Sequence, residues 1–177
     1  LNRALEMVKA AVEAGADAVK LQTYDPDKIT MDCSGEDFHI KGGLWDGQSY
    51  HALYTEAMTP KEWHKPLFDY AAKLGVTMFS SPFDLDAVDF LETLHVPAYK
   101  IASFEAVDLA LIKYVASTGK PMIISTGMAD AEEIQEATNL EDSGDSNSSQ
   151  TDDLNDSVTS EGEANKDAAP SQETKEN

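Results

Sequence analysis

The sequence predicts an α/β fold of parallel strands alternating with helices, about half of a (β/α)8 barrel. Three observations lead there. Short apolar runs begin near positions 76, 98 and 121, a repeat of 22 to 23 residues. Helical periodicity fills each interval, so successive strands must run in the same direction. Polar residues collect where the runs end: Lys100, Ser103 and Glu105 after one, Ser125, Thr126 and Gly127 after the next. A doubly wound sheet is the competing arrangement. It would normally carry a Gly-rich phosphate loop after its first strand, and none is present.

The elements follow in order. Leu1, Leu5, Val8 and Val12 recur at helical spacing, and Gly15 closes that helix. Ala18 to Thr23 reads as a short buried strand. Tyr24 to Met58 is a long connection holding Gly42-Gly43-Leu44-Trp45-Asp46-Gly47 and an amphipathic stretch around Leu53, Tyr54 and Ala57. Connections of this length usually serve function. Trp45 and Tyr54 belong either to a lid or to a small satellite core. Thr59-Pro60-Lys61-Glu62 predicts a helix start, with Thr59 as cap, Pro60 in the first turn and Glu62 completing a capping box. Trp63, Leu67, Tyr70, Ala71 and Leu74 form its buried stripe. Strands are then predicted at Val76–Ser81, Ala98–Ala102 and Met122–Thr126. Asp84, Asp108 and Asp130 are placed to cap the helices that follow, the last running to about Thr138.

Composition divides the chain near Asn139. Residues 139–177 contain no aromatic side chain. They hold eleven of the 33 acidic residues against Lys166 and Lys175, which leaves −9 of the formal −20 there. Such a stretch cannot bury enough apolar surface to offset its ordering entropy, so a disordered acidic tail is expected after a domain at 1–138. Acidity in both parts argues against nucleic acid or an anionic membrane as partner. Cys33 is the single cysteine, which fits a reducing, cytoplasmic location. No apolar run approaches the roughly 20 residues of a membrane span. Leu1 opens inside a periodic helix, so a fragment lacking its first strand is expected.

Chemistry concentrates at the strand ends. Lys20 and Gln22 share a strand face by period-two alternation. A lysine there either snorkels outward or lines a polar pocket. Lys100 repeats the situation in a later unit, and two strand lysines favour an anionic ligand. Ser81, Ser103 and Ser125 offer hydroxyl donors, and Ser125-Thr126-Gly127 precedes a helix start, as in anion sites or in a plain turn. Glu105 would repel an anion unless it meets a metal or a carbon undergoing addition; otherwise it is a solvated loop residue. The four histidines (39, 51, 64, 95) lack metal-ligand spacing, so His64 and His95 are expected to be structural or solvated.

Lys20-Leu21-Gln22-Thr23, Phe79-Ser80-Ser81-Pro82-Phe83-Asp84, Tyr99-Lys100-Ile101-Ala102-Ser103-Phe104-Glu105 and Ser125-Thr126-Gly127-Met128 occur in that order. Together they resemble the sialic acid synthase family over roughly residues 1–138. Gly43-Leu44-Trp45-Asp46-Gly47-Gln48 and Leu53 to Pro60 are similar to its pseudaminic acid synthase branch more than to the N-acetylneuraminate one, with an N-acetylneuraminate or legionaminate synthase as the alternative. The resemblance implies a transferase on a TIM barrel that joins phosphoenolpyruvate to an N-acetylated amino sugar by an aldol-type condensation. It implies Lys20, Lys100 and Glu105 as catalytic residues. It also implies that Lys20, Gln22, Ser81, Lys100, Ser103 and Ser125 bind phosphoenolpyruvate. A divalent metal, Mn2+ or Mg2+, and a homodimer are implied as well. The family's metal-binding histidines, its first strand and its small C-terminal domain have no counterpart in this chain, so an inactive fragment is expected. A non-catalytic product with an acidic interaction or solubility tail is the reading from another class.

Overall fold

Alternation along each apolar run sends one set of side chains to the helices and the other to the opposite face of the sheet. The computed structural model describes residues 1–142, so positions 143–177 of the expected tail lie outside the described residues. Strands β1 (Ala18–Thr23), β2 (Thr77–Pro82), β3 (Tyr99–Ile101) and β4 (Met122–Ile124) form one parallel sheet in the order β1-β2-β3-β4. The order never reverses. That is the arrangement of consecutive β/α units in a barrel, whereas a doubly wound sheet reverses at a switch point.

The helices are α1 (Asn2–Glu13), α2 (Pro26–Ile29), α3 (Tyr50–Ala57), α4 (Lys61–Leu74), α5 (Leu85–Thr93), α6 (Leu109–Ala116) and α7 (Ala131–Asp142). Helices α1, α4, α5, α6 and α7 cover one face of the sheet in two packed groups, while α2 and α3 lie in the connection after β1. Val19, Leu21 and Met78 meet Val8 of α1 and Leu67 and Ala71 of α4. Tyr99, Ile101, Met122 and Ile124 meet Val88 and Leu91 of α5 and Leu111, Ile112 and Val115 of α6. Each fully buried Leu or Ile contributes about 1.5–3 kcal/mol. At the N-terminal edge of the sheet, Tyr99 donates its hydroxyl proton to Glu92, which Lys120 also contacts at 2.6 Å. Glu92 joins α5 to the starts of β3 and β4.

Asp84 caps α5 by accepting from the Ala87 amide at 2.9 Å, and Asp108 caps α6 by accepting from Leu111 at 3.0 Å. Asp130 accepts from the Glu132 and Glu133 amides. The start of α4 departs from expectation. Pro60 itself occupies the cap in extended conformation, and no side chain caps the helix, so Thr59 and Glu62 form no capping box. The Pro60 carbonyl instead accepts from the Trp63 amide and the His64 imidazole. β2 sits one residue later than expected. β4 stops at Ile124, although the Ser125 amide still donates to Ile101 O at 3.0 Å. α7 continues past Thr138 to Asp142, because Leu140 joins Ala137 on the stripe that packs into the core beside α6.

The connection from 24 to 58 contains α2, a 3₁₀ turn at Glu36–Phe38, an antiparallel bridge between His39 and Ser49, and α3. Lys28 pairs with Asp84 at 3.4 Å, which ties this segment to the β2–α5 turn.

Candidate functional site

The face of the sheet turned away from the helices carries the chemistry. Val19, Leu21, Met78, Tyr99 and Ile101 are taken up by the helical layer, so Lys20, Gln22, Ser81 and Lys100 lie on the other side. Strand register aligns them: Gln22 pairs with Ser81, and Ser80 with Tyr99, so Ser81 and Lys100 follow on adjacent strands one step later. The β3–β4 pairing then brings Lys100 opposite Ile123. All of them sit toward the C-terminal ends of parallel strands, where loops leave the sheet open to ligands.

Lys100 is the centre of this arrangement. Its ammonium donates to the Ser125 hydroxyl at 2.5 Å and to the Ile101 carbonyl. Burial holds its pKa below the ordinary lysine value, and the neighbouring Lys20 ammonium pushes in the same direction. Glu105 opposes them in part. Lys20 is exposed on the edge strand β1, so its charge meets that of Lys100 at an open edge of the sheet, where an anion between them would relieve the repulsion. Ser81 is 1% exposed, and its hydroxyl has no hydrogen-bond partner among the described residues. Buried hydroxyls without partners are rare, and one beside two lysines fits an anionic ligand.

Glu105 is the second residue of the 3₁₀ turn Phe104–Val107 that follows β3. One of its carboxylate oxygens, Oε2, is buried and unpartnered. Burial raises its pKa, Asp108 adds to the rise, and its own amide and Lys100 partly offset it. Ser103 lies against Gly127: a Cβ on that glycine would stand 3.2 Å from Ser103 Cβ. The missing side chain lets the β4–α7 turn close onto the β3 turn. Lys20, Gln22, Ser81, Lys100, Ser125, Ser103 and Glu105 therefore share one end of the sheet.

Beneath Gln22 and Ser81, on the helix side, lies a polar relay that the sequence did not reveal as such. His64 is fully buried in α4. Its Nδ1–H donates to the Pro60 carbonyl at 3.1 Å, so its Nε2 accepts from the Thr23 hydroxyl at 2.9 Å. Thr23 in turn accepts from Ser80 at 2.7 Å. Burial lowers the pKa of His64 and keeps the imidazole neutral. The available signal was its place on the stripe of Leu67 and Ala71, three and seven residues on. His64 is the structural histidine of the two expectations. The relay locks Thr23 and Ser80, the direct chain neighbours of Gln22 and Ser81.

Beside Glu105 and Gln22 opens a cavity of about 720 Å³ whose walls are largely aromatic. Tyr54 belongs to a satellite cluster there, edge-on to Tyr24 at 5.8 Å. Trp45 stands at the rim, 50% exposed.

Among the described residues no group of three His, Cys, Asp or Glu side chains could hold a metal ion. The described residues therefore do not constitute the divalent-metal centre that the resemblance implies. No described helix is long and apolar enough to cross a membrane.

Such a sheet, with cations and hydroxyls at the C-terminal ends of its strands, has the architecture of consecutive units of a β/α barrel. The chain belongs to the NeuB family, whose model matches residues 7–154. It is 50% identical over 134 residues to the pseudaminic acid synthase of Campylobacter jejuni, covering 76% of this chain and 39% of that protein. It is 33% identical over 141 residues to the N,N'-diacetyllegionaminic acid synthase of the same organism, covering 79% of this chain and 42% of that protein. Its similarity thus falls on the pseudaminic branch of the sialic acid synthases. The crystal structure of a sialic acid synthetase from Leptospira borgpetersenii, in complex with citrate, superposes with a TM-score of 0.69 at 26% identity. The match covers 81% of this chain and 45% of that one. The chain spans about two fifths of the length of the curated relatives.

Proposed function

We propose that this chain contributes the phosphoenolpyruvate half-site of a pseudaminic acid synthase. The observation that carries the proposal is the buried, unpartnered Ser81 hydroxyl on the same sheet face as Lys20 and Lys100. Two cations suit the phosphate and carboxylate of one small dianionic or trianionic ligand. Ser81, Ser103 and Ser125 supply the neutral donors that orient it.

Each residue then has a stated task. Lys100, anchored by Ser125 and Ile101 O, presents its remaining proton to the ligand. Lys20 neutralises the second anionic group. Gln22 and Glu105 face the cavity where the co-substrate aldehyde would enter. The enolpyruvyl C3 attacks the aldehyde carbon of the open-chain amino sugar, and a carbon–carbon bond forms as the aldehyde oxygen takes a proton. Water adds at C2, the C–O bond to phosphate breaks, and a nine-carbon 2-keto acid and inorganic phosphate leave. Glu105, its carboxyl raised by burial, is suited to hold a proton or a water at C2. A divalent metal, Mn2+ or Mg2+, would come to the reaction on residues outside those described. A homodimer and a cytoplasmic location complete the proposal, the latter supported by a single cysteine.

The test is a synthase assay of the full-length parent protein with phosphoenolpyruvate and a panel of hexosamines, following phosphate release and product mass. A six-deoxy, diacetamido altrose sugar is the expected substrate. Preference for N-acetylmannosamine would overturn the branch assignment.

A further inference from the structure

We infer that His64, on the helix side of the sheet, is a positioning residue for the anion site on the other side: through Thr23 and Ser80 it holds Gln22 and Ser81 where a ligand needs them. Its role presupposes the phosphoenolpyruvate reading of that half-site and adds a residue that the ligand itself never meets.

β1 is held by the sheet on one side only. It stands at the edge with β2 as its neighbour, and Thr23 is its one buried residue. Backbone pairing ends with Thr23 opposite Pro82, and a proline has no N–H to give to the ladder. Pairing is therefore weakest at the end that carries Gln22 and Ser81. Side chains make up the difference. Thr23 bonds Ser80 at 2.7 Å, although Leu21 is the residue opposite Ser80, so the bond runs diagonally across the two strands. Such a bond pins the register, and a slip of one residue would turn every β1 side chain to the wrong face. His64 Nε2 stands 2.9 Å from the Thr23 hydroxyl. The imidazole is fixed in turn by the Pro60 carbonyl before α4 and by Phe90 of α5, edge-on at 5.2 Å. β1, β2, α4 and α5 thus meet at one ring.

The relay spends its protons in one direction. Ser80 donates to Thr23, Thr23 to His64, and His64 to the Pro60 carbonyl. Thr23, Ser80 and His64 are all buried. Deprived of the imidazole, the Thr23–Ser80 pair would keep one buried hydroxyl proton without an acceptor, and the strand end would shift to satisfy it. That shift carries Lys20, Gln22 and Ser81 with it. Lys100 stays, because its anchors are Ile101 and Ser125 on the far side of the sheet. The cost therefore falls on the Ser81 hydroxyl, which is buried, unpartnered and aligned with Gln22.

The experiment compares the 177-residue chain with His64→Leu, Thr23→Val and His64→Gln, and with Leu91→Ala in the other packed group as a control for stability alone. Phosphoenolpyruvate Kd is read by calorimetric titration, stability by thermal melts, and strand-end order by amide hydrogen exchange. His64→Leu and Thr23→Val should each weaken phosphoenolpyruvate about tenfold, as a displacement of binding groups by a fraction of an ångström does. His64→Gln puts an amide oxygen within reach of Thr23 and should stay within about twofold of the parent chain. Leu91→Ala leaves a core cavity and should lower Tm at least as much as His64→Leu, with Kd unchanged. In His64→Leu the amides of Gln22 and Ser81 should gain more in exchange rate than the Ser125 amide, which bonds Ile101 O. A Kd within about twofold of the parent's in either His64→Leu or Thr23→Val overturns the positioning role and leaves the half-site standing. Equal weakening in Leu91→Ala or in His64→Gln overturns it too, since stability or packing would then account for the loss. If the parent chain binds no phosphoenolpyruvate, the half-site reading falls and exchange decides for His64: selective gain at Gln22 and Ser81 upholds its hold on the strand ends, and uniform gain overturns it.

Discussion

Replacing Lys100 with alanine separates the anion site from the scaffold that holds it. The ammonium has three protons, and Ile101 O and Ser125 Oγ engage two of them. The third is available to a ligand as a charge-assisted hydrogen bond, worth about 1.5–3 kcal/mol. Its loss corresponds to a rise of roughly 10- to 150-fold in the phosphoenolpyruvate Kd. Lys20 remains, so binding weakens without vanishing. The fold should not suffer in proportion, because burial and Lys20 already disfavour the charged form of Lys100. A group whose folded-state pKa lies below its unfolded value costs stability while charged, and removing it lifts that cost. Calorimetric titration with phosphoenolpyruvate, beside a thermal melt, reads both effects: a weaker Kd with a Tm that is unchanged or higher. The same shift sets a pH dependence. Affinity for the anion should fall as pH rises through the lowered pKa of Lys100, and Lys100→Ala should lack that limb. Lys100→Arg should recover only part of the affinity, since a planar fork does not fit a point-charge position held by two fixed acceptors. A Kd within about twofold of the parent chain's would refute the assignment, as would a loss confined to the sugar.

Three further outcomes are expected. His64→Leu should cost about 1–3 kcal/mol by leaving the Thr23–Ser80 pair without its acceptor, as read by urea unfolding. The buried imidazole has a lowered pKa, so the unfolded chain takes up a proton that the folded one resists. Stability should therefore fall as pH drops below about 6.5, and His64→Leu should flatten that dependence; an unaltered slope would remove His64 as its source. Gly127→Ala places a methyl 3.2 Å from Ser103 Cβ, so about 1–3 kcal/mol of overpacking and a weaker phosphoenolpyruvate Kd should appear together in melts and titrations. The 177-residue chain alone should bind phosphoenolpyruvate without condensing it, and should self-associate in light scattering; phosphate release with a hexosamine, or a monodisperse monomer with a sharp melt, would contradict this.

Much of the fold was legible because it is locally encoded. β1 runs over Ala18–Thr23 as expected, but as an edge strand of which only Thr23 is buried, and Asp84, Asp108 and Asp130 cap where a short acidic side chain precedes a periodic stripe. The strand repeat was enough to imply parallel units, since helical crossovers leave no other direction. The placement of the lysines and serines toward the strand ends was also legible, because period-two alternation turns them to the face away from the helices. What the chain alone could not say is which of these groups lack partners. Ser81 and Ser80 are adjacent and alike in sequence, yet opposite faces make one a member of the His64 relay and leave the other buried and unpaired. The end of α7 moved because Leu140 packs into a core shared with distant elements, and the cap of α4 changed because the Pro60 carbonyl takes the His64 imidazole that also bonds Thr23. The aromatic cavity joins Trp45 and Tyr54 to Phe83 and Phe104, residues about thirty to sixty positions apart. Periodicity reports what a residue does within its own element; proximity of such distant side chains, and therefore the shape of a binding site, is decided when the sheet and its connections pack.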